Sequence, residues 1–228
     1  MLPREQLQAL VFDFDGTLIA SRIDFALMRE RVLEQVRAWG LDPIPRAEAL
    51  VLEVVAWAQE QLAVRSPERA AAYRREAEEV LWEVERPACE VAAPFPGVPE
   101  ALQRARETGL ALGVITRNSY RGVSAVLDRH PLPLSVIITR DDLAEVKPHP
   151  RHLLVALEQL GCPPERALLV GDHPTDLQCA QAAGVRGAAV LTTGGDPETF
   201  RALGAEAIYP DAATLLRDLL EAPGHDRA

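Results

Sequence analysis

The sequence predicts an α/β protein in which a parallel β-sheet is covered by helices on both faces and is interrupted by an inserted helical unit. In the later part of the chain, short apolar runs alternate with helical stretches, as in parallel strands joined by crossover helices. Residues 22–92 differ, because their only glycine is Gly40 and their apolar residues recur at helical spacing. We therefore expect residues 1–20 and 93–228 to form a core domain and residues 21–92 to form a separate helical domain.

The individual elements follow from periodicity and from the turn residues between them. Apolar runs predict strands at residues 9–14, 110–116, 134–139, 167–172 and 187–192, with 205–210 as a candidate edge strand. Helices are predicted at residues 120–129, 150–160 and 174–183, near Pro99 and at the end of the chain. Apolar stripes predict three or four amphipathic helices in the insert, among them the stripe Phe25, Met28, Val32, Val36 and Trp39. Pro67 suits the first turn of one of these helices.

Composition and charge argue against several classes of protein. A formal net charge of −10 disfavours a nucleic-acid or anionic-membrane partner. No apolar run has the length of a membrane span, and the first ten residues lack the pattern of a secretory signal. Cys89, Cys162 and Cys179 are widely spaced and form no CxxC pair, which favours reduced thiols in a cytoplasmic protein.

The first predicted strand ends in two aspartates that need a cation nearby. Strand alternation places Asp13 and Asp15 on the same side of the chain, two residues apart. Carboxylates side by side repel one another, and buried ones are rare unless they are paired or bind a metal. We therefore expect the rest of the chain to bring a cation to this point.

Further polar residues follow the carboxyl ends of later strands, and these ends meet at one edge of a parallel sheet. They are Thr116, Arg117 and Asn118 after the second predicted strand, Lys147 before a later helix, and Asp172 and Asp176 after the fourth strand. Lys147 is the only lysine among 24 basic residues. Because lysine is a compact point charge and arginine a planar fork, its retention here indicates a specific task.

These segments resemble the motifs of the haloacid dehalogenase-like (HAD) superfamily of phosphohydrolases. "DFDGT" matches the first motif, "VIT" the second, Lys147 the third and "GDHPTD" the fourth, in order, between about Leu10 and Thr193. "TRNS" and "VKPHP" are most similar to its phosphoglycolate phosphatase-like branch. The resemblance implies a Rossmann-like core sheet, with the insert at residues 21–92 as a helical cap over the active site.

The resemblance also implies a mechanism that suits these residue types. Asp13 would attack phosphorus to form an aspartyl-phosphate, and Asp15 would act as general acid and then base. Mg²⁺ would bind the Asp13 carboxylate, the Asp15 carbonyl and the Asp172 carboxylate, with Asp176 orienting them. The implied phosphate-binding residues are Asp13, Gly16, Thr116, Arg117 and Lys147. The implied substrate is a small phosphorylated metabolite, a phosphoglycolate-like monoester.

Two other functions remain open on the sequence. A phosphoglucomutase-type enzyme would pass the same aspartyl-phosphate to a sugar hydroxyl, and the difference lies in the cap, which the motifs do not cover. A non-catalytic ligand-binding protein on this fold would be expected to lack Asp13, Asp15 or Lys147, and all three are present. Ala20 stands where family members often carry an acidic residue, so the substrate subgroup is open. Oligomeric state is not predicted.

Overall fold

The computed structural model describes residues 6–46 and 48–221. The backbone forms two compact units, which separate after Ser21 and again after Val91. These divisions lie one residue from the boundaries predicted from the sequence. The ends of the predicted core domain, residues 1–5 and 222–228, lie outside the described residues, as does half of the segment on which the secretory-signal prediction was based.

The predicted fold class is confirmed by the core unit. Its strands are β1 (Ala9–Phe12), β2 (Ile19–Ala20), β3 (Ala93–Pro94), β4 (Ala111–Ile115), β5 (Val136–Ile138), β6 (Ala167–Gly171), β7 (Arg186–Val190) and β8 (Ala207–Tyr209). Within the described residues, six of these form a parallel sheet in the order β5-β4-β1-β6-β7-β8. Leu10 of β1 aligns with Leu112 of β4 on one side and Leu168 of β6 on the other.

Helices follow most of the strands, as the alternating pattern predicts. In chain order the helices are α1 (Phe25–Ala38), α2 (Val51–Ala63), α3 (Pro67–Val91), α4 (Val98–Glu107), α5 (Tyr120–Leu127), α6 (Arg151–Leu160), α7 (Pro174–Ala182), α8 (Pro197–Ala202) and α9 (Ala212–Glu221). Helix α6 packs on β1, β4 and β5, while α7 packs on β6 and β7. Every residue of β1 and β6 is buried, as expected for central strands that are covered on both faces.

The strand order places a topological switch point at the centre of the sheet. From β1 the chain moves outward to β4 and β5, and it then crosses back to β6 on the other side of β1. Ligands in such sheets bind beyond the carboxyl ends of the strands at this switch point. The three central strands therefore position the candidate residues that follow them.

The second unit is a bundle of the helices α1, α2 and α3. Asp24 caps α1 by accepting the Leu27 N–H at 2.9 Å, and Pro67 is the first residue of α3, as predicted. One apolar cluster joins the helices, and its large buried members include Met28, Val32, Val54, Leu62, Tyr73 and Leu81. The burial of this shared apolar surface is what holds the helices of this unit together.

The structure differs from the sequence-based expectation at a few positions. The short antiparallel pair β2–β3 and the six-residue helix α8 were not predicted, because neither is long enough to show a period. Phe25 belongs to a predicted core stripe but is 57% exposed, since it is the first residue of α1. Within the described residues, no helix combines the length and the apolar character needed to span a bilayer.

Candidate active site

The carboxyl ends of β1, β4 and β6 bring the candidate residues to one edge of the sheet. Backbone hydrogen bonds between the strands continue one residue past β1 and β4. The Asp13 N–H donates to Val170 O at 2.9 Å, and the Thr116 N–H donates to Ile138 O at 2.9 Å. Asp172 follows β6 directly. The edge that parallel pairing predicts is therefore formed by residues far apart in the chain.

Lys147 is the cation that pairs with Asp13, the first of the two strand-end aspartates. Its side chain is 1% exposed, and its Nζ lies 2.7 Å from Asp13 Oδ1 and 2.7 Å from Asp176 Oδ1. Burial by itself lowers the pKa of Lys147, but the two aspartates outweigh it and the net pKa is raised. Lys147 is thus held as a charged ammonium between two carboxylates.

Asp13 has one engaged and one available carboxylate oxygen. Oδ1 accepts the Phe14 N–H at 2.7 Å and contacts Lys147 Nζ, whereas Oδ2 has no hydrogen-bond partner among the described residues. Burial raises the pKa of Asp13, Lys147 opposes that rise, and the negative charges of Asp176 and Asp172 add to it. The ionised form of Asp13 therefore needs more positive charge than Lys147 alone supplies.

Three carboxylates lie close enough to share a cation. One oxygen from each of Asp13, Asp172 and Asp176 can be chosen so that all lie within 4.8 Å of one another. Asp176 is already occupied, since its Oδ1 contacts Lys147 and its Oδ2 accepts the His173 N–H at 3.0 Å. Asp13 keeps Oδ2 available, and Asp172 has no ion pair among the described residues, so these two are the better ligands. An all-oxygen donor set without cysteine or histidine fits a hard cation such as Mg²⁺.

Two threonine hydroxyls that the sequence analysis missed fix Asp172. Thr17 Oγ1 donates to Asp172 Oδ1 at 2.7 Å, and Thr193 Oγ1 donates to Asp172 Oδ2 at 2.8 Å. Burial raises the pKa of Asp172, while these hydrogen bonds favour its ionised form. Thr17 could have been found from its place in "DFDGT", but Thr193 lies in a loop after β7 and gives no signal in sequence.

Asp15 points to a different set of partners from Asp13. Asn118 Nδ2 donates to Asp15 Oδ2 at 3.0 Å, and the Asn118 N–H donates to Thr116 Oγ1 at 3.0 Å. Burial raises the pKa of Asp15, and hydrogen bonds from Ser21 and Asn118 partly offset that rise. A raised pKa favours the protonated form of a carboxyl group, which is the form that a general acid needs. The sequence left the role of Asn118 open, and the structure places it in the site.

Arg117 is held through its backbone by a second arginine. Arg140 is 3% exposed, and its Nη1 donates to Arg117 O at 3.1 Å. The Arg140 N–H also donates to Asn118 O at 3.2 Å. These bonds brace the loop after β4, in which Thr116, Arg117 and Asn118 follow one another.

Gly16 and Gly171 provide space for the aspartates. A Cβ on Gly16 would lie 2.4 Å from Asp172 Oδ2, and one on Gly171 would lie 2.2 Å from the Asp176 carboxylate. The Gly16 N–H, which a phosphate ligand would need, already donates to Ile19 O at 2.8 Å. Gly16 therefore allows the turn to pass close to Asp172. Because its N–H is already used, this hydrogen bond does not support the phosphate-binding role that the resemblance implied for Gly16.

Comparison with known proteins agrees with the fold. The sequence model for haloacid dehalogenase-like hydrolases matches residues 10–190. An N-acetylmuramic acid 6-phosphate phosphatase of Pseudomonas aeruginosa is 30% identical over 198 residues, covering 83% of this chain and 84% of the relative. A phosphoglycolate phosphatase of Salmonella typhimurium is 30% identical over 206 residues, covering 79% of each chain.

A solved structure supports the same fold. A Bacteroides vulgatus protein, whose proposed activity is that of a β-phosphoglucomutase, superposes with a TM-score of 0.65 at 24% identity, covering 94% of this chain and 88% of its own. The family match spans most of the chain, and both curated relatives hydrolyse phosphate esters by name. The resemblance noted in the motifs is confirmed: the chain belongs to the haloacid dehalogenase-like hydrolase family and is a phosphoric monoester hydrolase within it.

Proposed function

We propose that this protein is a Mg²⁺-dependent phosphatase that hydrolyses a small phosphomonoester through an aspartyl-phosphate on Asp13. The observation that carries the proposal is the 2.7 Å contact between Nζ of the buried Lys147 and Asp13 Oδ1, beside the carboxylates of Asp172 and Asp176. An ammonium in this position can neutralise the attacking carboxylate and hold a phosphoryl oxygen. The reaction class agrees with the names of both curated relatives.

The proposed Mg²⁺ ligands are the carboxylates of Asp13 and Asp172 and the backbone carbonyl of Asp15. Asp176 orients the site through its contacts to Lys147 and to the His173 N–H. When bound, Mg²⁺ neutralises charge on the phosphoryl group and on the nucleophile. The threonine hydroxyls on Asp172 keep that carboxylate in a fixed orientation.

Asp13 and Asp15 divide the chemistry between them. Asp13 Oδ2, the oxygen without a described hydrogen-bond partner, attacks phosphorus while the bond from phosphorus to the leaving oxygen breaks. Asp15, whose pKa is raised by burial, gives its proton to the leaving oxygen. Water then attacks the phosphorus, Asp15 takes a proton from that water, and the acyl-phosphate bond breaks. Inorganic phosphate leaves and the Asp13 carboxylate is restored.

Thr116, the backbone N–H of Arg117 and Lys147 are the proposed phosphate-binding groups. Thr116 Oγ1 accepts the Asn118 N–H, which leaves its own proton for a phosphoryl oxygen. The Lys147 ammonium contacts Asp13, so it lies beside the carboxylate to which the phosphoryl group is transferred. We leave Gly16 out of this set because its N–H is already used within the turn.

The substrate is proposed to be a small phosphorylated metabolite of the phosphoglycolate type, in a cytoplasmic setting. The named relatives act on phosphoglycolate and on N-acetylmuramic acid 6-phosphate, so a phosphomonoester of a small hydroxy acid or a sugar is the class to test. We assign substrate selection to the helical unit at residues 22–91, the counterpart of the family's cap.

A phosphate-release assay tests the proposal. The protein would be incubated with 2-phosphoglycolate, N-acetylmuramic acid 6-phosphate and β-glucose 1-phosphate, with Mg²⁺ or with EDTA, beside an Asp13→Asn variant. We expect free phosphate from at least one ester, and none with EDTA or with Asp13→Asn. Release that persists under both conditions would refute the mechanism. Conversion of glucose 1-phosphate to glucose 6-phosphate without free phosphate would instead indicate a phosphoglucomutase.

A further inference from the structure

His152 is a buried histidine that the proposed mechanism does not use. It is the second residue of α6 and is 0% exposed. Full burial of an imidazole is costly unless its two nitrogens are both hydrogen-bonded. The two partners of this ring are both backbone groups of the candidate active site.

The ring connects the backbone of Lys147 to strand β5. The Lys147 N–H donates to His152 Nδ1 at 3.1 Å, and His152 Nε2 lies 3.2 Å from Ile138 O. An amide N–H can only donate and a carbonyl oxygen can only accept, so Nδ1 must be bare and Nε2 must carry the proton. The two bonds together therefore specify a single neutral tautomer of His152.

The carbonyl of Ile138 is shared with the loop after β4. It accepts the Thr116 N–H at 2.9 Å as well as His152 Nε2–H. One oxygen thus anchors the backbone of Thr116 directly and the backbone of Lys147 through the imidazole. The shared acceptor therefore links the backbones of two proposed phosphate-binding residues.

The environment of the ring keeps it in the neutral form. Burial, with the nearby Lys147 ammonium as a second cause, lowers the pKa of His152 to about 3. Asp176 and Asp142 act in the opposite direction but do not outweigh these effects. A protonated ring would place a donor against the Lys147 N–H, and the low pKa prevents this near neutral pH.

We propose that His152 is a positioning residue for the phosphoryl-transfer site, which holds Lys147 at its working distance from Asp13 by tying the Lys147 backbone to Ile138. The segment between β5 and α6 has no regular secondary structure, so the backbone of Lys147 receives no support from a strand or helix. A displacement of about 1 Å in a catalytic charge can cost on the order of a hundredfold in rate. The expected loss of kcat rests on the function proposed above, whereas the positioning of Lys147 does not.

The single lysine of the chain provides a readout that is independent of activity. Lysine labelled with ¹⁵N at Nζ gives one side-chain NMR signal, which reports on Lys147 alone. In the wild type we expect this signal to be detectable at neutral pH, because the ammonium is buried and paired with Asp13 and Asp176. Ring ¹⁵N spectra of His152 should show Nε2 protonated and Nδ1 unprotonated.

Three substitutions of His152 separate the two hydrogen bonds. His152→Asn keeps an acceptor close to the position of Nδ1, His152→Gln keeps a donor close to that of Nε2, and His152→Leu keeps neither. His130→Leu is the matched control. His130 lies in the segment before the amino end of β5, whereas the candidate site residues follow the carboxyl ends of strands. We expect His152→Leu to lose or shift the lysine signal and to lower kcat by roughly tenfold or more. His152→Asn should retain more of the lysine signal and of kcat than His152→Gln. His130→Leu should retain the signal and kcat fully.

Several results would overturn the inference. A folded His152→Leu variant with the wild-type lysine signal and kcat would do so, as would a wild-type ring that carries its proton on Nδ1. If His152→Leu does not fold, the comparison of His152→Asn with His152→Gln decides the question. The inference requires the lysine signal and kcat to be better retained in His152→Asn, and equal retention in the two variants counts against it. A wild-type protein that releases no phosphate but loses its lysine signal in His152→Leu would refute the proposed function and leave the positioning role of His152 standing.

Discussion

Asp13 and Lys147 form an ion pair, with Asp13 Oδ1 and Lys147 Nζ 2.7 Å apart and the Lys147 side chain buried. Lys147 is shared with Asp176, and Asp172 lies in the same cluster of carboxylates. One ammonium cannot balance all of these carboxylates, so negative charge remains in excess in a poorly solvated place. A bound divalent cation would restore the balance.

Lys147→Arg should be badly impaired although it conserves the charge. A guanidinium is wider than an ammonium and cannot act as a point donor between two carboxylates that are each 2.7 Å from Nζ. We expect kcat to fall by on the order of a hundredfold. Because the side chain is buried, thermal stability should fall as well, so kcat must be measured well below the unfolding temperature of the variant.

A surface basic residue provides the control for this change. Arg104 lies 3.7 Å from Glu221, and its side chain is 56% exposed. Arg104→Lys should leave both kcat and thermal stability close to the wild type, because exposed ion pairs contribute little. Near-normal kcat in Lys147→Arg would mean that the compact ammonium is not needed.

Mg²⁺ binding should release protons near neutral pH. Burial and neighbouring carboxylates raise the pKa of Asp13, so part of the metal-free protein carries a proton there that the metal must displace. Calorimetric titration at pH 7, in buffers of different ionisation enthalpy, measures this release. The apparent affinity for Mg²⁺ should weaken as pH falls below the raised pKa. A binding heat that does not depend on the buffer would contradict the expectation.

The same pKa shift predicts how the stability of the metal-free protein depends on pH. In unfolded chains Asp13 ionises near its usual value of about 4, whereas in the folded protein it holds its proton to higher pH. The folded state therefore binds more protons between these two values, and its stability should fall as pH rises through that window. Thermal unfolding with EDTA over a pH series measures this, with Asp13→Asn as the control that should lack this contribution.

Gly171→Ala should damage the site through Asp176. The added methyl group would lie 2.2 Å from the Asp176 carboxylate, so Asp176 must move away from Lys147. We expect a loss of about 1–3 kcal/mol in the free energy of unfolding, with a steep fall in kcat. Gly109→Ala is the control, since its φ of +87° makes the change strained, but no atom of a described residue beyond its chain neighbours lies within 4 Å of the added Cβ. It should lose stability while keeping kcat, and equal kcat in both variants would contradict this account.

The sheet and the main residues of the site could be predicted because their signals are local. Apolar runs of several residues revealed β4 and β6, and the rule that parallel strands end at one edge brought Asp13, Lys147 and Asp172 together. These inferences need only that the strands of the sheet are parallel. They do not need the detailed path of any loop.

The supporting contacts could not be predicted, because they join loops whose paths the sequence does not specify. Thr193 reaches Asp172 from beyond β7, and His152 reaches Ile138 from the start of α6. Neither threonine nor histidine in such positions has a pattern that distinguishes it from a surface residue. Phe25 shows the opposite error, since its helical spacing predicted burial while its place at the start of α1 leaves it exposed.

The most direct test of the account is to trap the covalent intermediate on Asp13. The enzyme would be quenched in acid during turnover of its best phosphomonoester, digested, and its peptides measured by mass spectrometry. We predict one phosphoryl group on the peptide that contains Asp13, its absence from the Asp13→Asn variant, and turnover in that variant at least about a thousandfold lower. Phosphate release at the wild-type rate by Asp13→Asn, or a phosphoryl group on another residue, would contradict the central claim.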